Sequence, residues 1–468
     1  MINYFNFKKF NDKYLLTNDT GKYAFVSDAT LHSLLNNKKT SEDEYAKLKD
    51  SFFVYDENEN VFAERVKYYV RDNKNYLFSS TSLHIFVLTN LCNMSCVYCQ
   101  AKDEQNITCR KMSIETAKKS VDIALSAPSR YLTFEFQGGE PLTNFDVLRF
   151  IVEYTEENKK GKNISYSIVT NLSLLNDEIL EFLINNNINI STSLDGDMQT
   201  HNLNRPFQNG NPTYEIVVDK IKKIQEQGYP VGAIQTTTKH SLNKAKEIVD
   251  TFVSCGQNSI FIRPLTRLGT ASRVWDEIGY EADEFVSFYK ECLKYILELN
   301  KSGIEIIERH AVIFLKKILL GYSENYMELR SPCGAAVGQM AYFYDGNVFT
   351  CDEGRMLYEM GNSAFKLGNV FDNTYDDLVQ SPTCKAVCIS SLLESQTSCC
   401  DCVYQPYCGT CPVVNLAQHD DLFYKSAKPF RCQVYGGILD VLFEILKENN
   451  PDDIKILYKW IGAENNEI

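Results

Sequence analysis

Leu91-Cys92-Asn93-Met94-Ser95-Cys96-Val97-Tyr98-Cys99 sets three cysteines at CxxxCxxC spacing. It follows a short apolar run, 83–89, that reads as a strand. Beyond the loop, strand and helix patterns alternate. Strands are predicted at 131–137, 164–169, 188–194, 231–238 and 259–264. Amphipathic helices are predicted between them at 113–126, 145–158, 177–185, 214–227 and 243–254. Six βα units in series predict a parallel sheet with right-handed crossovers. Six falls short of the eight that close a TIM barrel. The expected fold class is therefore α/β, an open partial (β/α)6 barrel, with functional residues at the C-terminal ends of its strands.

The flanks read differently. Residues 1–80 predict a small α+β unit. Its strands are expected at 4–16 and 22–26, joined by the turn Asn18-Asp19-Thr20-Gly21. Asp28 is a candidate cap for a helix through Leu35, and Ser41 for one through Lys49. The barrel is expected over 81–310, closed by a helix at 282–301, with a helical connector at 311–332. From Cys333 to the end, 333–468, the chain is Cys-rich, with a hairpin signal at Asp345-Gly346 and a last helix at 437–448.

A formal net charge of -13 argues against nucleic acid or an anionic membrane as partner. No segment reads as a bilayer span, and Met1 to Lys9 lacks a signal-peptide apolar region, so a cytoplasmic protein is expected. In a reducing compartment the 16 cysteines read as metal ligands rather than disulfides. Four fall between Cys92 and Cys109 and ten between Cys333 and Cys432, with only Cys255 and Cys292 between; a disulfide framework gives no reason for that gap. Cys109, Cys255 and Cys292 have no partners at ligand spacing and read as incidental thiols.

Three thiolates on one loop can hold three irons of a [4Fe–4S] cubane and leave the fourth open. A zinc site with a distant fourth ligand is the alternative, though zinc sites usually pair two CxxC arms. One βα unit later stands Gln137-Gly138-Gly139-Glu140-Pro141, a glycine pair that permits close backbone approach.

The cysteine loop resembles the signature of the radical S-adenosylmethionine (SAM) superfamily, CxxxCxΦC, with Tyr98 at the aromatic position. The resemblance implies a [4Fe–4S] cluster on Cys92, Cys96 and Cys99 whose open iron chelates SAM. It also implies SAM contacts from Gly138, Gly139 and Glu140 of the GGEP motif, from Asn171 and Ser193 after later strands, and from Arg205, which could pair with the SAM carboxylate. His201 reads as a loop stabiliser.

The C-terminal spacing resembles the SPASM domain of peptide-modifying radical SAM enzymes: Cys333, twelve residues, Gly346, four residues, Cys351, then Cys399, Cys402, Cys408 and Cys411 spaced x2, x5, x2, and Cys432 last. It departs from that pattern in the x2 between Cys408 and Cys411, where the family has x3. The resemblance implies two auxiliary [4Fe–4S] clusters, one on Cys399, Cys402, Cys408 and Cys432, the other on Cys333, Cys351 and Cys411 with its fourth position open. Cys384 or Cys388 could fill that position, but their CxxxC spacing also fits two thiols on one helical face. Asp352, next to Cys351, resembles a carboxylate that accepts a substrate proton, with a solvated turn residue as the alternative. The runs 3–7, 14–19, 261–265, 350–356 and 407–413 look like those of the B-type maturases of His-Xaa-Ser peptide systems.

The expected function follows: reductive cleavage of SAM to a 5′-deoxyadenosyl radical and hydrogen abstraction from a ribosomally made precursor peptide, giving a crosslink, thioether or epimer. A reductant such as flavodoxin or ferredoxin would be the second partner. A formylglycine-type protein maturase, a non-catalytic iron-sulfur electron carrier and a zinc-bearing binding module are the competing readings. A pure carrier has no need of the GGEP pocket.

Overall fold

The computed structural model describes residues 1–468 except 39, 102–109, 323–326, 425–428 and 464–468; Cys109 thus lies outside the described residues. The N-terminal unit holds three antiparallel strands rather than two: β1 (Asn6–Phe10), β2 (Lys13–Thr17) and β3 (Tyr23–Val26). The expected long first strand is broken at Asn11, which adopts φ 55°, a left-handed turn that Asn tolerates. The turn at Asn18–Gly21 forms as expected, Gly21 N donating to Asn18 O at 2.9 Å. Ser27, one residue before the expected Asp28, caps helix Asp28–Leu35, and Ser41 caps Glu42–Asp50. A third helix, Glu59–Asn73, was not foreseen; Phe62 is its one fully buried side chain, so it carries little periodicity.

The six expected barrel strands all form: β4 (Leu83–Val87), β5 (Tyr131–Gln137), β6 (Asn163–Val169), β7 (Ile188–Ser193), β8 (Val231–Thr236) and β9 (Ser259–Arg263). They pair in sequence order and in parallel. The burial alternation of β5 shows why: Leu132, Phe134 and Phe136 pack under the helices, while Thr133, Glu135 and Gln137 face the half-open lumen. Helices Phe145–Asn158, Asp177–Asn185 and Ala282–Lys301 have the expected bounds.

The sheet continues past the barrel at both edges. On one side β10 (Ile307–Glu308) adds in parallel to β9. On the other, β11 (Gln339–Tyr342) adds in parallel to β4, followed antiparallel by β12 (Asn347–Phe349) and β13 (Lys366–Asn369), making ten strands. The Cys-rich region is therefore grafted onto the barrel edge, which it covers instead of leaving unpaired backbone groups. The hairpin turns at Gly346, φ 87°, as expected. The last expected helix, 437–448, begins earlier, at Phe430, and another follows at Pro451–Ile461. Gly437 is interior to the first of these: a Cβ there would lie 2.2 Å from Val286, so the glycine lets this helix close on Ala282–Lys301. No helix among the described residues is long and apolar enough to cross a membrane.

Candidate functional site

The cysteine loop leaves the C-terminal end of β4 and is clamped from outside. Ser95 N donates to Pro206 O at 2.8 Å, Val97 N to Asn204 O at 2.9 Å, and the side chain of Gln208 to Cys92 O at 2.6 Å. The far end of the loop is held by Thr270 N, 2.9 Å from Cys99 O. Gly269 makes that approach possible, since a Cβ there would sit 2.5 Å from Cys99 O. Sequence reading missed both clamps; their only signal is a glycine and an Asn-Arg-Pro run, common features of any turn.

Cys92, Cys96 and Cys99 line one cavity of 310 Å³ together with Gly138, Gly139, Asn171, Ser193 and Arg205. Thr236, Arg263 and Met356 extend its wall toward the Cys-rich region. The glycine pair serves the protein's own packing: a Cβ on Gly138 would be 2.6 Å from Thr89 O, and one on Gly139 2.2 Å from Leu91 O. These glycines hold β5 against the root of the cysteine loop and keep the cavity wall flat.

Glu140 is almost fully buried and does not line the cavity. Its carboxylate accepts from Leu142 N (3.0 Å), Thr170 Oγ1 (2.7 Å) and Asn171 N (2.8 Å), tying the loop after β5 to the loop after β6. Burial pushes its carboxyl up to about 7. Asn171 in turn donates to Asn93 Oδ1 at 2.9 Å and stands 3.8 Å from Cys92 Sγ. Tyr98 is buried, with its hydroxyl 2.6 Å from Asp195 Oδ2. Arg205 presents Nε to the same oxygen at 3.2 Å and Nη1 to Cys96 Sγ at 3.8 Å. One edge of the guanidinium thus faces the protein's own Asp195. His201 accepts from Asp195 N at 3.3 Å and steadies that loop, as expected.

The donor chemistry fits an iron-sulfur cluster with SAM. Burial raises the Cys92 thiol to about 12 and Cys96 to about 11, so without a metal these groups stay protonated, and as ligands they would give up the proton to it. Beside them the cavity supplies a backbone-lined wall, an amide, a hydroxyl and a guanidinium.

Two sets of C-terminal cysteines stand near one another. Cys333, Cys351 and Cys411 share one small core with Leu357, Phe365 and Val413, where burial first, and Cys411 as well, raises the Cys333 and Cys351 thiols. The Cys408 thiol, pushed to about 12 chiefly by burial, also feels Cys432, Cys402 and Cys399. Cys400 instead neighbours Tyr4 of the N-terminal unit. Cys384 and Cys388 hydrogen-bond each other on helix Pro382–Ser390, matching the one-face reading. Cys255 and Cys292 are buried alone among the helices. Among the described residues no three His, Cys, Asp or Glu side chains gather as for a single metal ion.

Asp352 is buried at the start of helix Asp352–Glu359, not a solvated turn residue. Arg355 holds its Oδ1 through Nη2 at 2.5 Å and Nε at 3.1 Å. Glu353, next to Asp352 on the first turn of the same helix, is half-buried, and burial followed by Glu328 and Asp352 pushes its carboxyl up.

Residues 86–253 match the Radical SAM superfamily. The chain is 32% identical to an uncharacterized protein of Methanocaldococcus jannaschii over 176 residues, 38% of this chain and 60% of that protein. It is 24% identical to the cysteine-type anaerobic sulfatase-maturating enzyme of Clostridium novyi over 365 residues, 75% of this chain and 94% of that one. Its fold is like that of the solved structure of native anSMEcpe with bound AdoMet and Kp18Cys peptide, with TM-score 0.66, 19% identity, and 81% of this chain and 99% of that chain covered.

Proposed function

Taking as premise that this chain is an enzyme with a radical SAM domain at residues 86–253, we propose that it modifies a ribosomally made precursor peptide. The radical SAM assignment implies a [4Fe–4S] cluster and SAM. The observation that carries the peptide reading is the single cavity bounded by Cys92, Cys96, Cys99 and the glycine pair on one side and by Arg263 and Met356, toward the Cys-rich region, on the other.

When bound, the cluster and SAM supply reductive cleavage to a 5′-deoxyadenosyl radical. The chain's part is to hold and shield. Cys92, Cys96 and Cys99 would hold the cluster. Gly138, Gly139, Asn171, Ser193 and Arg205 would seat SAM, and Glu140 and Tyr98 would fix the loops that carry these groups. Cys333, Cys351 and Cys411, and separately Cys399, Cys402, Cys408 and Cys432, would hold two auxiliary clusters that accept an electron in an oxidative reaction. Asp352, paired with Arg355, would face the substrate side and take up a proton. The working division is 1–80 for recognition, 81–310 for the barrel, 311–332 for the connector and 333–468 for the SPASM domain.

The N-terminal unit offers a place for the peptide. A groove of 800 Å³ is lined by Ile2, Leu34, Tyr45, Ala46 and Val54. Backbone pairing there would add the peptide as a strand. B-type maturases of His-Xaa-Ser systems are the subgroup favoured by the resembling runs, and flavodoxin or ferredoxin the class of reductant. The product would be a crosslink, thioether or epimer. A formylglycine-type maturation is the second reading, favoured by the sulfatase-maturating relative.

The test is anaerobic incubation of the reconstituted enzyme with SAM, reductant and the peptide encoded beside its gene. Loss of two hydrogens, or deuterium incorporation from solvent, supports peptide modification. Conversion of a sulfatase-type Cys or Ser peptide, with no change in the neighbouring peptide, supports the second reading instead. Ala46→Arg should weaken precursor binding and spare SAM cleavage.

A further inference from the structure

The N-terminal unit, besides the recognition role proposed for it, holds the loop that carries Cys399, Cys402 and Cys408. Asn6, on β1, donates from Nδ2 to Cys400 O at 3.2 Å and to Cys402 O at 3.1 Å. Thr17, at the end of β2, is fully buried and donates from Oγ1 to Val403 O at 2.7 Å. Gly21 O accepts from the Tyr407 hydroxyl at 3.0 Å, and Lys8 Nζ donates to the Tyr404 hydroxyl at 2.9 Å. The carbonyls of Cys400, Cys402 and Val403 are thereby drawn toward the N-terminal strands. The loop itself turns tightly, Cys402 N donating to Cys399 O at 3.1 Å.

A trans peptide unit is planar, with its C=O and N–H on opposite sides. Holding Val403 O toward Thr17 therefore turns the Tyr404 N–H the other way, into the cysteine loop. That amide stabilises the Cys402 thiolate. Hydrogen bonds to the sulfurs of an iron-sulfur cluster favour its more negative, reduced form and so raise its reduction potential. We propose that Thr17 and Asn6 are positioning residues for the auxiliary cluster of Cys399, Cys402, Cys408 and Cys432, aiming the backbone amides of its loop at sulfur and so setting its potential. A hydroxyl that only satisfied a buried carbonyl would alter stability and leave the potential where it is. This assignment rests on reading those four cysteines as cluster ligands.

The test uses the full chain, reconstituted anaerobically, with iron content, electron paramagnetic resonance and auxiliary-cluster midpoint potentials as readouts. Thr17→Val keeps the side-chain shape and removes the donor. It should hold the wild-type iron content and shift one auxiliary potential to more negative values, with the signal of the cluster on Cys92, Cys96 and Cys99 unchanged. Thr17→Ser retains the donor and should keep the wild-type potential. Asn6→Ala releases two carbonyls of the same turn and should shift that potential in the same direction; it decides the matter where the valine variant does not load its iron. Unchanged potentials in Thr17→Val, or in Asn6→Ala where the valine variant loses iron, would overturn the proposal. An equal shift in Thr17→Ser and Thr17→Val would overturn it as well. Wild-type iron content and spectra in Cys402→Ala would instead overturn the cluster reading beneath it.

Discussion

Tyr98, on the cysteine loop after β4, donates a 2.6 Å hydrogen bond to Asp195 Oδ2, beyond the end of β7. The same carboxylate oxygen accepts from Asn204 Nδ2 at 3.1 Å and faces Arg205. One buried acid thus joins the cluster loop to the segment that clamps it. Breaking a buried ion pair strands the partner charge. Asp195→Asn should cost about 3 kcal/mol in chemical denaturation and lower cluster occupancy. Tyr98→Phe should cost about 2 kcal/mol, a hydrogen bond to a charged group, and leave iron content near wild type.

Gly139 stands where any side chain meets backbone. Its Cβ would lie 2.2 Å from Leu91 O, one residue before Cys92. Gly139→Ala should therefore displace the cysteine loop and cut both iron content and 5′-deoxyadenosine formation at least tenfold. Gly232→Ala, where a Cβ would meet nothing nearer than Ile190 O at 3.9 Å, checks whether the effect is specific; it should leave both near wild type.

The two cysteine regions should separate by readout. Cys96→Ala should abolish SAM cleavage, whereas Cys402→Ala or Cys408→Ala should block peptide product yet leave uncoupled 5′-deoxyadenosine. Product analysis of both sets under the same reductant checks this. Equal loss of 5′-deoxyadenosine in both would mean that the C-terminal thiols serve the fold.

His84 is buried between β4 and β11, its Nδ1 2.9 Å from the Tyr342 hydroxyl, and burial lowers its pKa to about 3. In the unfolded chain it titrates near 6.5, so between those values the unfolded state binds more protons and stability falls as pH falls. From pH 6.5 to 5.5 the loss should be about 1 kcal/mol from His84. His84→Gln should remove that share of the slope in urea denaturation.

The barrel was legible because its strands alternate, as in the burial pattern of β5, and its helices repeat every three to four residues. The thiol groupings were legible because ligand spacing is local on loops. Pairing of β11 with β4 was not: some 250 residues separate Leu83 from Gln339, and hydrogen bonding across a sheet edge leaves no local pattern. The clamp at Asn204–Gln208 uses mostly backbone atoms, which any sequence supplies. The pairing of Asp352 with Arg355 was not legible either, since only the fold shows that this carboxylate is buried and already engaged.

Reductive SAM chemistry is proposed at Cys92, Cys96 and Cys99. The most direct measurement is 5′-deoxyadenosine produced from SAM by the reduced, anaerobically reconstituted protein, quantified beside its iron. Wild type should yield 5′-deoxyadenosine, and Cys92→Ala, Cys96→Ala and Cys99→Ala none. Zinc in place of iron, or a fully iron-loaded wild type that leaves SAM intact, would contradict it.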